Sequence, residues 1–271
     1  MQRDPNTVGF NKIYVLQHLR QGDRRTGEEI INIIKYSSLN QKSQVLYELI
    51  DPLSPNHLLD TLRNIKNAAL NDGILPYIHF EVHGCKDGLE INGELVHWGE
   101  LKKSLLSINL AVKNNLFISV ASCYGAYIFK ILNLKEPCPF FGFIGPENEI
   151  FEEELEVNFS AFFESLLKEN SFDAAIENLN STVGLKNGKT KYAFMSCYGL
   201  FDLQAAEFSD AVKSSKGRNL LINQAISSIV ERNTSPDLSI NQIRQEAKEL
   251  LRNGYTAENL NTLKKVFTHE A

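Results

Sequence analysis

The run "LFISVASCYG" (116–125) constrains the fold more than any other stretch of this chain. Leu116, Phe117, Ile118, Val120 and Ala121 leave it no polar face to give to water. A half-buried strand alternates apolar and polar residues, whereas the central strand of a parallel sheet is covered on both sides. The segment therefore asks for helices above and below it. The sequence around it supplies them. "KIYVLQHL" (12–19), "SQVLYELI" (43–50), "LPYIHFEVHG" (75–84), "NLFISVASCYG" (115–125) and "PFFGFIGP" (139–146) read as five strands. Helical patterns lie between them: "TGEEIINIIKYSS" (26–38), "SPNHLLDTLRNIKNAAL" (54–70) and "GELKKSLLSINLAV" (99–112). Thr26 is placed as an N-cap with Glu28 and Glu29 in the first turn, and Ser54 as a cap with Pro55 at the first helical position. Strands alternating with helices imply βαβ crossovers, a mainly parallel sheet and an α/β fold.

Beyond residue 150 an acidic start leads into a stripe of Leu155, Phe159, Phe162, Phe163, Leu166 and Leu167, which predicts a long helix. A second helix, capped at Ser171, follows, and "KYAFMSCYGLF" (191–201) reads as a sixth strand. From about 205 the pattern turns wholly helical. Its middle segment runs from Ser235-Pro236 to a stop at Gly254, and its last is "TAENLNTLKKVF". The expected organisation is a three-layer α/β/α domain with a six-stranded, mainly parallel sheet over 1–204, and a helical extension over 205–271.

With 271 residues and 43% hydrophobic content, the chain can bury a core without staples. A net charge of −5 argues against a nucleic-acid partner, which leaves a basic footprint. There is no apolar run long enough for a bilayer and no signal core at the start, so a cytoplasmic protein with no membrane partner is expected. Cys85, Cys123, Cys138 and Cys197 are then expected to be reduced thiols. No CxxC pair occurs, and neither a metal nor a cofactor is expected.

In an open parallel sheet, ligands bind beyond the carboxyl ends of the strands. Two such ends carry reactive side chains. The third predicted strand finishes in His83-Gly84 and the fourth in Ser122-Cys123. If the strands are neighbours, imidazole and thiol emerge at one edge. A thiol is mostly protonated at neutral pH, and a nearby imidazole favours the thiolate and can later protonate a leaving amine. Gly84, lacking a side chain, lets its backbone N–H approach a substrate carbonyl, and with the Cys123 N–H it would form an oxyanion hole. The plainer alternatives are a free cysteine packing as a small hydrophobe and a structural strand-end histidine. The tetrapeptide Ser-Cys-Tyr-Gly recurs at 196–199, where no His-Gly strand accompanies Cys197, so that copy reads as a packed thiol.

Other features carry weaker readings. His79, His83 and Cys85 share a strand face and could together ligate a metal, but no fourth ligand is evident and strand alternation alone places them so. His97-Trp98 is a packing anchor or a substrate-facing element. "EIFEEELE" is a solvated helix start or an electrostatic gate for basic substrates. "RQGDRRTG" (20–27) follows the first strand at the same edge, as a surface loop or as a substrate- or effector-binding loop.

"YIHFEVHG", a helix, and then "LFISVASCYG" together resemble the caspase-like cysteine peptidases, especially the bacterial CHAT and caspase-homologue branch. "FFGFIGPENEIFEEELEVNFSAFFESLLKENSFDAAIENLN" is similar to the pattern that follows the fifth strand there. The resemblance spans residues 10–202. It implies a caspase-like fold, Cys123 as nucleophile, His83 as general acid/base and Gly84 as oxyanion contributor. Ala121-Ser122-Cys123 departs from the Gln-Ala-Cys or Ser-Ala-Cys setting common in that family, and no paired arginines mark an aspartate pocket. Basic-specific relatives line the pocket with an acidic residue after the fifth strand, which Glu147 or Glu149 would match; Asp202 is another candidate lining. The resemblance also implies a protein or peptide substrate. Its setting would be a latent effector of anti-phage defence or regulated cell death, switched on by a small-molecule signal or a partner protein. An inactive caspase-like scaffold and a small-amide amidase are the alternatives.

Overall fold

The computed structural model describes residues 9–39, 45–181, 192–216, 219, 221, 222, 245, 248 and 257–270. The chain divides into two compact units. The first comprises Met1–Asn133 with Cys138–Ser196, and the second Leu134–Pro137 with Cys197–Ala271. The division falls between Ser196 and Cys197, ahead of the 204/205 boundary expected from sequence.

The first unit is an α/β fold around a mainly parallel mixed sheet. Its strands are β1 (Lys12–His18), β2 (Leu46–Ile50), β3 (Pro76–Cys85), β4 (Gly88–Ile91), β5 (Glu94–His97), β6 (Phe117–Ala121), β7 (Gly142–Pro146) and β8 (Tyr192–Ser196). The order is β2-β1-β3-β6-β7-β8, with the β4–β5 hairpin paired onto the end of β3. All pairs along that order are parallel except β7 with β8. Its helices are α1 (Thr26–Leu39), α2 (Pro55–Asn71), α3 (Trp98–Ala111), α4 (Glu152–Glu169) and α5 (Phe172–Ser181), with a 3-10 helix at Gly125–Ile131.

The strand order dictates the layers. From β1 to β2 the chain steps one way along the sheet; from β2 to β3 and from β3 to β6 it steps the other way. Right-handed crossovers then put α1 on one face and α2 and α3 on the opposite face. Side chains agree. On β3, Tyr77 and His79 meet Phe163 and Phe159 of α4, with centroids 4.9–5.6 Å apart. The alternate residues Ile78, Phe80 and Val82 are buried toward the other side. On β6 the sequence-predicted double burial holds: all five residues are buried. The α4 stripe is likewise buried at all six expected positions.

Local signals account for two of the helix starts. The Ser54 hydroxyl accepts from the His57 N–H with Pro55 opening α2, and the Ser171 hydroxyl accepts from the Ala174 N–H at α5. Thr26 differs. Its buried hydroxyl donates to Glu81 at 2.6 Å, so it serves the site rather than capping α1. The predicted sixth strand also differs. It stops at Ser196, and Cys197 opens a helix, α6 (Cys197–Lys213), of the second unit. That unit also holds α7 (Ala257–Phe267), where Lys264 pairs with Asp202 at 2.7 Å and Phe267 meets Phe201. The predicted helix at 235–254 lies outside the described residues apart from positions 245 and 248. Among the described residues no helix is long and apolar enough to cross a membrane.

Candidate active site

The sheet changes winding direction between β1 and β3, and such a switch point leaves a crevice at the carboxyl ends of the strands. A cavity of about 680 Å³ lies there. Leu19 follows β1, Arg24 and Thr26 come from the β1–α1 loop and the start of α1, Glu81 to His83 from β3, Ala121 to Cys123 from the end of β6, and Ile150 to Leu155 from the entry to α4. In the parallel β3–β6 ladder the last pair is Glu81 opposite Ala121. His83 and Cys123 each stand two residues further on, so both lie on the α4 side of the sheet, as the alternation from Tyr77 and Phe117 requires.

The turn after β6 is what presents Cys123. Tyr124 adopts φ 58°, an uncommon conformation for an aromatic residue. Gly125 follows because a Cβ there would meet the Val120 carbonyl oxygen at 2.4 Å. The Gly125 N–H returns to the Ser122 carbonyl and the Tyr124 N–H is taken by the Asn148 carbonyl. Among the described residues the Cys123 N–H has no acceptor, so it remains free to donate to a ligand. The thiol donates to the Ile150 carbonyl at 3.6 Å. Gly84 is pressed against this turn: a Cβ on it would lie 2.0 Å from Ser122 Oγ and 3.0 Å from the Cys123 carbonyl.

His83 is held by a residue that sequence reasoning did not single out. Its Nε2 lies 2.7 Å from Asp23 Oδ2. A carboxylate can only accept, so Nε2 carries the proton, and Nδ1, which has no partner among the described residues, is left to accept one. The same Asp23 oxygen accepts the Arg20 N–H at 2.7 Å. The loop is pinned from two sides, by Arg20 on Glu90 of β4 and Arg24 on Glu156 of α4. Burial pushes the Asp23 carboxyl up, but the His83 and Arg20 hydrogen bonds and charges outweigh it and hold it below its ordinary value of 3.8. The sign of the consequence follows. Asp23 adds stability above that ordinary value, and the increment is lost as pH falls through its lower folded value. Asp23→Asn is expected to flatten the acid limb of a thermal-melt series from pH 6 to 3; an unchanged limb would refute the pairing.

The remaining sequence candidates fall elsewhere. Glu149 accepts from the Tyr124 hydroxyl at 3.2 Å at the exposed edge of the turn, and Glu147 is exposed. The cavity wall begins just after them, at Ile150. Asp202 belongs to α6. His79 is buried between Ser119 and Glu81, and Cys85 accepts the Asp87 N–H in the β3–β4 turn. The His97 N–H donates to the Glu100 side chain at 2.9 Å at the start of α3, and Trp98 is buried with its Nε1–H on the Lys86 carbonyl. Asp23, His83 and Glu152 bring three ligand atoms within 4.8 Å of one another, and among the described residues they are the set that could hold a divalent cation. Ser196, which precedes Cys197, pairs with Gly142 at the amino end of β7, and Gly142 pairs with Phe117 at the amino end of β6. The second Ser-Cys-Tyr-Gly therefore begins at the opposite edge of the sheet from the cavity. No protein-family model matches the chain, and no curated protein matches it.

Proposed function

We propose that this protein is a cysteine endopeptidase of caspase-like fold. The carrying observation is that His83 and Cys123, from neighbouring parallel strands, line one cavity beside a Cys123 N–H that has no acceptor among the described residues. Cys123 gives its proton to His83 Nδ1, and its sulfur attacks the scissile carbonyl carbon. The N–H groups of Cys123 and Gly84 hold the developing oxyanion. His83 then protonates the departing amine, and water attacking the thioester returns the enzyme with release of the carboxylate. Asp23 keeps the imidazole in the tautomer that this sequence needs. In the resting arrangement the thiol donates to Ile150 rather than to His83, a geometry suited to a peptidase held latent until a signal or partner rearranges the α4 entry. A latent effector in defence or regulated cell death, as the resemblance implies, fits that arrangement.

Thiol alkylation tests the reading. Iodoacetamide is expected to modify Cys123 at least about tenfold faster than the partly exposed Cys85, and His83→Ala to remove the difference, because the imidazole takes the thiol proton as the sulfur attacks. Equal rates at the two cysteines would favour an inactive scaffold.

A further inference from the structure

Glu81 is the unexplained group of this cavity. It is 2% exposed, yet it forms part of the cavity wall. Its Oε1 lies 2.7 Å from His79 Nε2, its Oε2 accepts the Thr26 hydroxyl at 2.6 Å, and His79 Nδ1 is braced by Ser119 Oγ at 2.6 Å. Both oxygens are thus fixed from the protein side, and each keeps a second lone pair. An apolar residue would fill this position at far lower cost, since a buried carboxylate loses its hydration. The acids at the cavity mouth, Glu152, Glu153 and Glu154, have an ordinary reason to be there, the first turn of α4. Glu81 sits on a strand and has none. The cation at the mouth, Arg24, is already bonded to Glu156 and Glu153. The lining thus holds four glutamates, of which Glu153 is paired with the one lining arginine, and this acidic excess makes the cavity favour a positive guest.

Reach narrows the guest further. Glu81 stands two residues before His83 on the same strand face, a separation of about 7 Å. A guest side chain anchored by its backbone at Cys123 must be long to touch it, which short acids and amides are not. We infer that Glu81 is the selectivity determinant of this cavity, and that it binds the guanidinium or ammonium group of an arginine or lysine on the amino side of the scissile bond. As a statement about peptides this rests on the peptidase reading; as a cation site it rests on the cavity alone.

The test uses the full chain and matched peptidyl acyloxymethyl ketones ending in arginine or in citrulline, its neutral isostere. Cys123 labelling is followed by intact mass. Wild-type protein is expected to react about a hundredfold faster with the arginine probe, and Glu81→Gln to lose most of that ratio. Benzamidine is expected to slow iodoacetamide labelling of Cys123 in wild type and not in Glu81→Gln. Should Glu81→Gln fail to fold, the arginine–citrulline comparison and benzamidine protection on wild type decide. Equal rates for the two probes, or a Glu81→Gln protein that keeps the ratio, would overturn the inference while leaving the peptidase reading intact. Benzamidine protection without any peptide cleavage would do the reverse.

Discussion

Protein carrying Cys123→Ala is expected to leave a degenerate peptide library uncut under conditions where wild type digests it, and Cys197→Ala protein to digest it at the wild-type rate. The two thiols sit in the same tetrapeptide, so the contrast tests position alone. Cys123 follows a central parallel strand into a turn at the cavity, whereas Cys197 opens a helix next to a residue paired at the amino end of β7. From the level of Phe117, opposite Gly142, to Cys123 is six residues of chain, about 20 Å of strand. His83→Ala is expected to lower turnover by about 100- to 10,000-fold, the usual worth of a positioned acid/base. Asp23→Asn is expected to cost less, about 100-fold at most, because the ring remains but loses its fixed orientation. Cleavage that persists in the Cys123→Ala protein would end the proposal outright.

Why the two copies were separable in sequence, and other features were not, comes down to the range of the signal. Double burial of β6, the α4 stripe and the Ser54-Pro55 start are local patterns, and each appears where its residues predict. The hairpin β4–β5 was equally local: Asn92-Gly93, with φ 52° and 79°, is the two-residue turn that an Asn-Gly pair between strand residues encodes. It was legible, and the strand–helix rhythm obscured it. The direction of β8 was not legible. A strand preceded by α4 and α5 can return either way, and only its pairing with β7 decides. The site shows the same division. Cys123 and His83 end strongly patterned strands, so alternation and order bring them together. Asp23 and Glu81 are hydrogen-bonded to partners 60 and 55 positions away in the chain, and no periodicity carries such a link. The position of the loop at 20–27 after β1 places it at the same edge as the site, but nothing local in its sequence distinguishes Asp23 from its neighbours. Glu81 reads as the polar member of an alternating strand until Thr26 and His79 are seen to enclose it.

Gly84→Ala is expected to disable the site and to destabilise the fold, and the reason can be separated from the general cost of altering a strand. The added methyl would lie 2.0 Å from Ser122 Oγ, far inside any real contact. Forcing atoms into such a packed place costs about 1–3 kcal/mol. For a unit of this size, about 2 kcal/mol lowers the melting temperature by roughly 4–8 °C. The functional loss is expected to exceed the stability loss, because relief requires β3 and the Ser122-Cys123 turn to part, and those carry the two halves of the proposed dyad. Ser122→Ala removes the hydroxyl that clashes while keeping the backbone. Alone it is expected to be nearly neutral. Combined with Gly84→Ala it is expected to recover most of the melting temperature but only part of the Cys123 alkylation rate, since the Cys123 carbonyl at 3.0 Å still crowds the methyl. A double-mutant cycle in both readouts measures that coupling. If Gly84→Ala melts and reacts like wild type, or if Ser122→Ala rescues neither readout, β3 and the turn are not packed as closely as the dyad requires.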